Sequence, residues 1–193
     1  MTRTLRWWLR SLAIGAGVGV AVGFVVGGIL GRVYMRLLFV ARQDSADLET
    51  AMGAIIGDLT TSGTVAIGIF GALAGLMLGL SYAATRRLLP ARLVWRETLF
   101  VLGTTGFMLG VVVRSNLEDF GILPVTLSLV LTTAAIALTA IPVPYLVERL
   151  APDRPGAGGP AGTLVVGVGL AVIAVFAVTS IAAAYAVESP PWV

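Results

Sequence analysis

The sequence predicts an all-α membrane protein, a polytopic bundle of about five transmembrane helices, and three observations carry that prediction. The chain of 193 residues is 58% hydrophobic and only 12% charged, whereas soluble domains are about 25% charged. Its apolar residues form five blocks that match or approach the length needed to cross a hydrocarbon core of ~30 Å. Glycines recur four residues apart in the first blocks, a spacing typical of closely packed membrane helices. The whole chain, residues 1–193, is therefore predicted to be a single integral membrane domain.

The five spans follow from the positions of the apolar blocks and of the residues that interrupt them. An earlier start of the third span, near Val94, would give it a full length. Pro142 and Pro144 are expected to kink or end the fourth span, because proline removes a backbone donor. A flexible linker rich in proline and glycine is predicted at residues 151–162. The spans are predicted at about residues 11–31, 63–84, 98–113, 122–147 and 162–187.

The arginines predict an orientation with the N-terminus inside and the C-terminus outside. All basic residues are arginine, and nine of them fall on the side of the membrane where the chain begins, against four on the other side. Basic loops favour the cytoplasmic side. The nine are Arg3, Arg6, Arg10, Arg86, Arg87, Arg92, Arg96, Arg149 and Arg154, and the four are Arg32, Arg36, Arg42 and Arg114.

The residue types missing from the chain exclude several kinds of chemistry. There is no cysteine, no histidine and no lysine. Thiol catalysis, imidazole bases, Schiff bases and the usual haem and zinc ligands are therefore excluded. The net charge of +3 is too small and too dispersed to indicate binding to nucleic acid. We expect a protein that is not an enzyme and has no cofactor, no bound metal and no nucleic acid partner.

Eight glycines are predicted to form helix-packing faces on the first two spans. Residues four apart share one face of a helix, and a face of glycines lets another backbone approach closely. Two interpretations are open: the two spans pack against each other, or the grooves receive another subunit. The glycines are Gly15, Gly19, Gly23, Gly27 and Gly31 in the first span and Gly71, Gly75 and Gly79 in the second.

Three arginines on the predicted outer side are candidates for binding an anion or a lipid headgroup. Arg32 and Arg36 lie four residues apart and share a helical face, and Arg114 lies at the outer end of the third span. The planar guanidinium group suits phosphate. The alternative is that these side chains snorkel to the interface and anchor a helix end.

The outer loop between the first two spans is acidic. Its carboxylates could hold a hard cation, although their spacing matches no calcium-binding loop, and salt bridges to the outer arginines are the alternative. Residues 46–57 are predicted to form a short interfacial helix on the outer surface. The acidic cluster consists of Asp44, Asp47, Glu49 and Asp58.

A resemblance to a known group of proteins covers residues 31–90. Here the stretch GRVYMRLLFVAR precedes the acidic loop, and a glycine-rich span ends in Arg86 and Arg87. The segment resembles an uncharacterised family of small, glycine-rich polytopic membrane proteins from high-GC bacteria. The resemblance implies a multi-pass protein of the bacterial cytoplasmic (inner) membrane, and it implies no activity or site. The turn that carries it is formed by Gly57, Leu59, Thr60, Gly63 and Thr64.

Three functions are consistent with these features. The leading hypothesis is a non-enzymatic membrane subunit that packs through its glycine grooves against a partner protein or against itself as a homo-oligomer, surrounded by membrane lipids. The alternative is a small transporter or channel component for an anion or small solute, with hydroxyls such as those of Ser128 and Thr132 lining a path. No charged residue is predicted near the middle of a span, which disfavours ion-coupled transport. The third is a metal-dependent lipid-modifying enzyme that uses the outer carboxylates.

Overall fold

A computed structural model of the protein describes residues 3–41, 61–117, 125–151 and 159–188. Every regular element within these ranges is a helix, and together they provide five segments long and apolar enough to cross a membrane. The predicted all-α class is confirmed for the described residues, and so is the number of candidate spans. The segments are Leu5–Leu37, Gly63–Thr85, Leu93–Ser115, Val125–Leu150 and Gly162–Ala186.

The first span is one unbroken helix that is longer than the sequence predicted. It consists of α1 (Arg3–Val22), a π-helical turn (Gly23–Gly27) and α2 (Gly28–Ala41). At ~1.5 Å per residue, a helix needs only about 20 residues to cross a core of ~30 Å. The segment Leu5–Leu37 has 33 residues, so the helix either tilts or continues beyond the hydrocarbon.

Proline and loop residues set the limits of the remaining helices. The third span begins at Leu93, close to the earlier start expected near Val94. The fourth span breaks after Ala140 and resumes at Pro142, because Pro142 and Pro144 cannot donate to the carbonyls one turn earlier. The helices are α3 (Thr61–Thr85), α4 (Leu93–Ser115), α5 (Val125–Ala140), α6 (Pro142–Leu150) and α7 (Pro160–Glu188).

The helices pack around two apolar cores, one near each end of the bundle. The first span packs along α3, α6 contacts both of them, and α5 contacts α4. One core includes Val22, Tyr82 and Phe100 and lies toward the end of the bundle where the chain begins. The other core includes Val113 and Val125 and lies toward the opposite end. The fifth span, α7, packs mainly on α4 and lies at the edge of the bundle.

Some predicted features lie outside the described residues. These are the interfacial helix at 46–57, most of the linker at 151–162 and the whole acidic cluster of Asp44, Asp47, Glu49 and Asp58.

Candidate functional site

The glycine faces of α1 and α3 meet each other in antiparallel order. A Cβ atom added to any of six glycines would lie 2.5 Å or less from the carbonyl oxygen of the glycine opposite. Only glycine permits so close an approach of two helix backbones. We call this contact the glycine seam. Its facing pairs are Gly15 with Gly79, Gly19 with Gly75, and Gly23 with Gly71.

The π-helical turn keeps the glycines of the first span directed at α3. Four residues rotate an α-helix by about 400°, so glycines spaced by four drift around it by about 40° per step. A π-helical turn contains more residues per turn and slows that drift. As a result Gly27 and Gly28 both face α3, where their added Cβ atoms would lie 3.4 Å from the Cα of Gly71 and 3.5 Å from the Cα of Gly68.

The seam uses glycines of both spans within one chain. Of the two interpretations drawn from their spacing, the geometry matches packing between the first and second spans. Gly31, at the end of the row, meets a side chain instead, the Cγ2 atom of Ile67 at 2.7 Å from its added Cβ. While the seam is closed, another subunit cannot occupy the same faces, so a partner needs a different surface.

A buried polar cluster joins several helices at the end of the bundle where the chain begins. Glu148 of α6 lies at its centre. Its Oε1 atom accepts hydrogen bonds from the Tyr82 hydroxyl at 2.7 Å and from Nη1 of Arg96 at 3.0 Å. Arg96 also donates through Nε to the carbonyl oxygen of Pro90 at 3.1 Å. The side chains of Arg96 and Glu148 are only 4% and 9% exposed, so neither charge can lose its partner without a large cost.

Arg86 adds a second buried guanidinium group to this cluster. It is fully buried and donates through Nη2 to Ser11 Oγ at 3.0 Å and through Nη1 to the carbonyl oxygen of Ala151 at 3.3 Å. Burial lowers the pKa of Arg86, and the negative charge of Glu148 opposes that shift. Because arginine stays protonated in proteins, Arg86 is a buried positive charge that connects α1 with the end of α6.

The sequence places Arg86 and Arg96 only among the basic residues of one side and assigns no role to Glu148, so it does not predict the cluster. A usable signal was present: Tyr82 and Arg86 lie four residues apart, so both fall on one face at the end of α3. Glu148 is the one acidic residue of α6, and it lies among apolar residues at the end of a span. An ionisable residue in such a place usually has a specific partner.

Of the three arginines predicted to lie on the outer side, two donate hydrogen bonds to hydroxyls on different helices. Nη2 of Arg32 donates to Thr64 Oγ1 at 2.6 Å and ties α2 to the start of α3. Nε of Arg114 donates to Ser180 Oγ at 3.0 Å and ties α4 to α7. Arg36 lies one turn beyond Arg32 on α2 and is exposed. The described contacts thus place Arg32 and Arg114 on separate helix pairs and do not assemble the three arginines into one anion site.

Large side chains of α7 fill a row of glycines on α4. The Cβ atom that Gly103 lacks would lie 3.0 Å from Leu170, and the one that Gly110 lacks would lie 2.5 Å from Phe176. Between them Gly106 faces Ile173. These three bulky side chains of α7 therefore point into the bundle.

The outward face of α7 contains few large side chains. Among its exposed residues between 163 and 186, only Leu164 and Tyr185 are larger than valine, and the rest are glycine, alanine, valine or threonine. No atom lies within 4 Å of the Cβ position of Gly167 or Gly169. In the most apolar stretch of this span 6% of the residues are buried, against 22–33% in the other four spans.

The hydroxyls of the fourth span are mostly bonded within the protein. Thr133 and Thr139 donate to carbonyl oxygens one turn earlier in α5, at 2.6 and 2.8 Å, and Thr126 pairs with Tyr185 at 2.9 Å. The Oγ of Ser128 is different, because it is buried without a hydrogen-bond partner among the described residues. The same is true of the Oγ1 of Thr105 on α4, in the third span.

No known family model matches the chain, and no curated protein or solved structure matches it either. The resemblance of residues 31–90 to glycine-rich membrane proteins of high-GC bacteria therefore stays a prediction.

Proposed function

We propose that the protein is a non-enzymatic membrane subunit that packs through the outward face of α7 against a second copy of itself or another membrane protein. The observation that carries this proposal is the distribution of side chains on α7, with Leu170, Ile173 and Phe176 directed at α4 and mostly glycine, alanine, threonine and valine exposed on the outward face. Small residues on a membrane helix allow another backbone to approach, so that van der Waals contact and hydrogen bonds can hold two helices together in lipid.

A comparison with α3 supports an interface on α7. The outward face of α3 carries the large residues Ile69, Phe70, Leu73 and Met77, each more than half exposed. Flexible side chains of this size suit contact with disordered lipid tails. The outward face of α7 presents Val168, Val172 and Val175 among glycine and alanine, which gives a flatter surface that another helix can cover.

We also propose that the chain begins on the cytoplasmic side and ends on the outer side of a bacterial cytoplasmic membrane, with a short interfacial helix in the outer loop. The asymmetry of the arginines supports this orientation. The glycine seam and the buried cluster then act as the rigid core of the subunit, and α7 carries its contact surface.

Native mass spectrometry after gentle extraction from the membrane tests this function. The wild-type protein is expected to carry a second copy or one stoichiometric partner. The double variant Ala171→Leu plus Ala174→Leu, on the outward face of α7, is expected to lose it. The matched control Ala66→Leu plus Ala74→Leu makes the same change on the exposed face of α3 and should keep it. A wild-type protein that is a single chain, or an assembly that survives both variants, would contradict the proposal.

Transport of a small solute is the second candidate, and the buried hydroxyls of Ser128 and Thr105 favour it. Buried polar groups without a protein partner are rare and often mark bound water or a ligand. Purified protein in liposomes should then pass a small anion, and Ser128→Ala plus Thr105→Val should reduce the flux without changing assembly. Liposomes that show no flux above the protein-free background would exclude this alternative for the anions tested.

A further inference from the structure

We infer that Arg87, Trp7 and Trp8 form a binding site for the phosphate group of an anionic phospholipid at the end of the bundle where the chain begins. The site stands apart from the contact surface proposed on α7, and neither depends on the other. Its evidence is the geometry of one guanidinium group between two indole rings.

Two tryptophans hold the Arg87 guanidinium in a corner. Its central carbon lies 4.0 Å from the centroid of the Trp7 ring and 4.8 Å from that of Trp8. The two rings are 5.4 Å apart and nearly perpendicular, at 80°. Cation–π contacts of this kind fix the plane of an arginine side chain. Arg87 is therefore held in place by ring faces.

The donors of Arg87 have no protein acceptor in the part of the chain that the structure describes. Its described contacts are with the two tryptophan rings, and its Nε atom is buried without a hydrogen-bond partner. The carboxylate of Glu148, at the same end of the bundle, already accepts hydrogen bonds from Tyr82 and Arg96. A guanidinium group offers five N–H donors in a planar fork that matches phosphate. A phosphate diester would therefore accept hydrogen bonds from the Arg87 donors that have no protein acceptor.

The site lies at the depth where lipid headgroups are found. Arg87 belongs to the turn directly after α3, whose candidate span ends at Thr85. Trp7 and Trp8 lie at the beginning of the first span, which starts at Leu5. Tryptophan concentrates at the boundary between hydrocarbon and headgroups. The start of the first span and the turn after α3 thus place the two tryptophan rings and Arg87 at that boundary. In the orientation proposed above, this is the boundary on the cytoplasmic side.

Neighbouring charges favour an anion rather than a neutral headgroup. The buried guanidinium of Arg86 also lies against Trp7, 4.9 Å from the ring centroid. Two positive charges on one indole repel each other, and a phosphate bound to Arg87 would relieve that repulsion. The exposed side chains of Arg6 and Arg10 on the same helix as Trp7 raise the local positive potential further.

The test compares lipid binding by the full-length chain and by variants with the same change in charge. Delipidated protein is titrated with phosphatidylglycerol or phosphatidylcholine, and bound lipid is counted by native mass spectrometry. The wild-type protein is expected to bind one phosphatidylglycerol in preference to phosphatidylcholine. Arg87→Gln should weaken that binding about tenfold or more, the loss expected for one or two charge-assisted hydrogen bonds.

The matched control is Arg149→Gln. Arg149 is exposed at the same end of the bundle and, like Arg87, lies over a ring, that of Tyr145 at 5.5 Å, but it has one aromatic neighbour rather than two. Its replacement should leave the binding of phosphatidylglycerol unchanged. Equal weakening by both variants would show attraction to net charge alone and would overturn the inference, as would equal affinity of the wild-type protein for the two lipids.

Two further measurements complete the experiment. Arg87→Lys keeps the charge and loses the planar fork, so it should bind phosphatidylglycerol less than half as tightly as the wild type; wild-type affinity in this variant would overturn the site even if Arg87→Gln failed to fold. Inorganic phosphate is then added as competitor. Displacement of the lipid by millimolar phosphate identifies free phosphate as a ligand of the same site, whereas lipid that stays bound identifies the headgroup in its membrane context as the ligand.

Discussion

Gly19 of the first span and Gly75 of the second lie so close that neither can carry a side chain. A Cβ atom on either residue would collide with the backbone of the other. The obstacle is a peptide group within a helix, so no rotamer change can remove it. The close approach of the two backbones here therefore depends on glycine at both positions.

Gly75→Ala is predicted to destabilise the protein by about 1–3 kcal/mol or more, the range of overpacking in a dense core, because α1 and α3 must separate to admit the methyl group. Gly17→Ala is the control, since no atom lies within 4 Å of its Cβ position. That change should be neutral or stabilise the helix by up to about 1 kcal/mol. Thermal unfolding in detergent measures both, and an equal effect of the two would contradict the seam.

The contact between Gly110 and Phe176 predicts a different response. The Cβ atom added by Gly110→Ala would lie 2.5 Å from Cε1 of Phe176, so a side chain rather than a backbone is in the way. Gly110→Ala should lower the unfolding temperature, and Phe176→Leu in the same chain should restore part of the loss. A double variant that is less stable than the sum of the two single changes would contradict this packing of α7 on α4.

The buried pair of Arg96 and Glu148 is predicted to show strong coupling. Arg96→Met leaves the buried carboxylate of Glu148 without its guanidinium partner, and Glu148→Met leaves the buried guanidinium of Arg96 without its carboxylate partner. Each variant should lose about 3–5 kcal/mol of unfolding free energy. The double variant should be less destabilised than either single one, because no buried charge of the pair remains. Additive losses in a double-mutant cycle of unfolding free energies would mean that the two residues do not act as a pair.

The hydrogen bonds from Arg114 of α4 to α7 predict that loss of this side chain loosens one end of α7. Arg114 donates through Nε to Ser180 and through Nη2 to Thr179 at 3.0 and 3.1 Å, and it lies 5.2 Å from the ring centroid of Phe176. Arg114→Ala should therefore loosen the end of α7 and raise its hydrogen exchange, with a cost of about 1–3 kcal/mol. Arg92→Ala, at an exposed position before α4, is the control; similar exchange in α7 for both variants would count against these hydrogen bonds.

The glycine spacing predicts a packing face, because four-residue periodicity is a property of the helix itself. It could not identify the occupant of that face, since lipid and protein are equally apolar and the sequence does not say which helix comes near Gly19. The π-helical turn at Gly23–Gly27 was also hidden, as its glycines fit an α-helical row equally well.

The buried cluster escaped prediction for a related reason. Arginines near the ends of spans usually snorkel to the surface, so the sequence assigns Arg86 and Arg96 to a side of the membrane and not to a buried position. Their partners are distant in the sequence: Ser11 reaches Arg86 only when α1 packs on α3, and Glu148 reaches Arg96 only when α6 packs on α4. The outward face of α7 was likewise hidden, because nearly every residue of that span is apolar.

Site-specific photo-crosslinking in the native membrane tests the central claim, that the outward face of α7 contacts another protein. A diazirine side chain of about the size of leucine is placed at Val172 of α7 or at Leu73 of α3, which are 63% and 53% exposed. If α7 contacts another protein, position 172 should give a protein adduct of one defined mass, which is absent when Ala171→Leu and Ala174→Leu are added, and position 73 should give only lipid adducts. Lipid adducts alone from both positions would contradict that claim and would make α7 an ordinary lipid-facing helix.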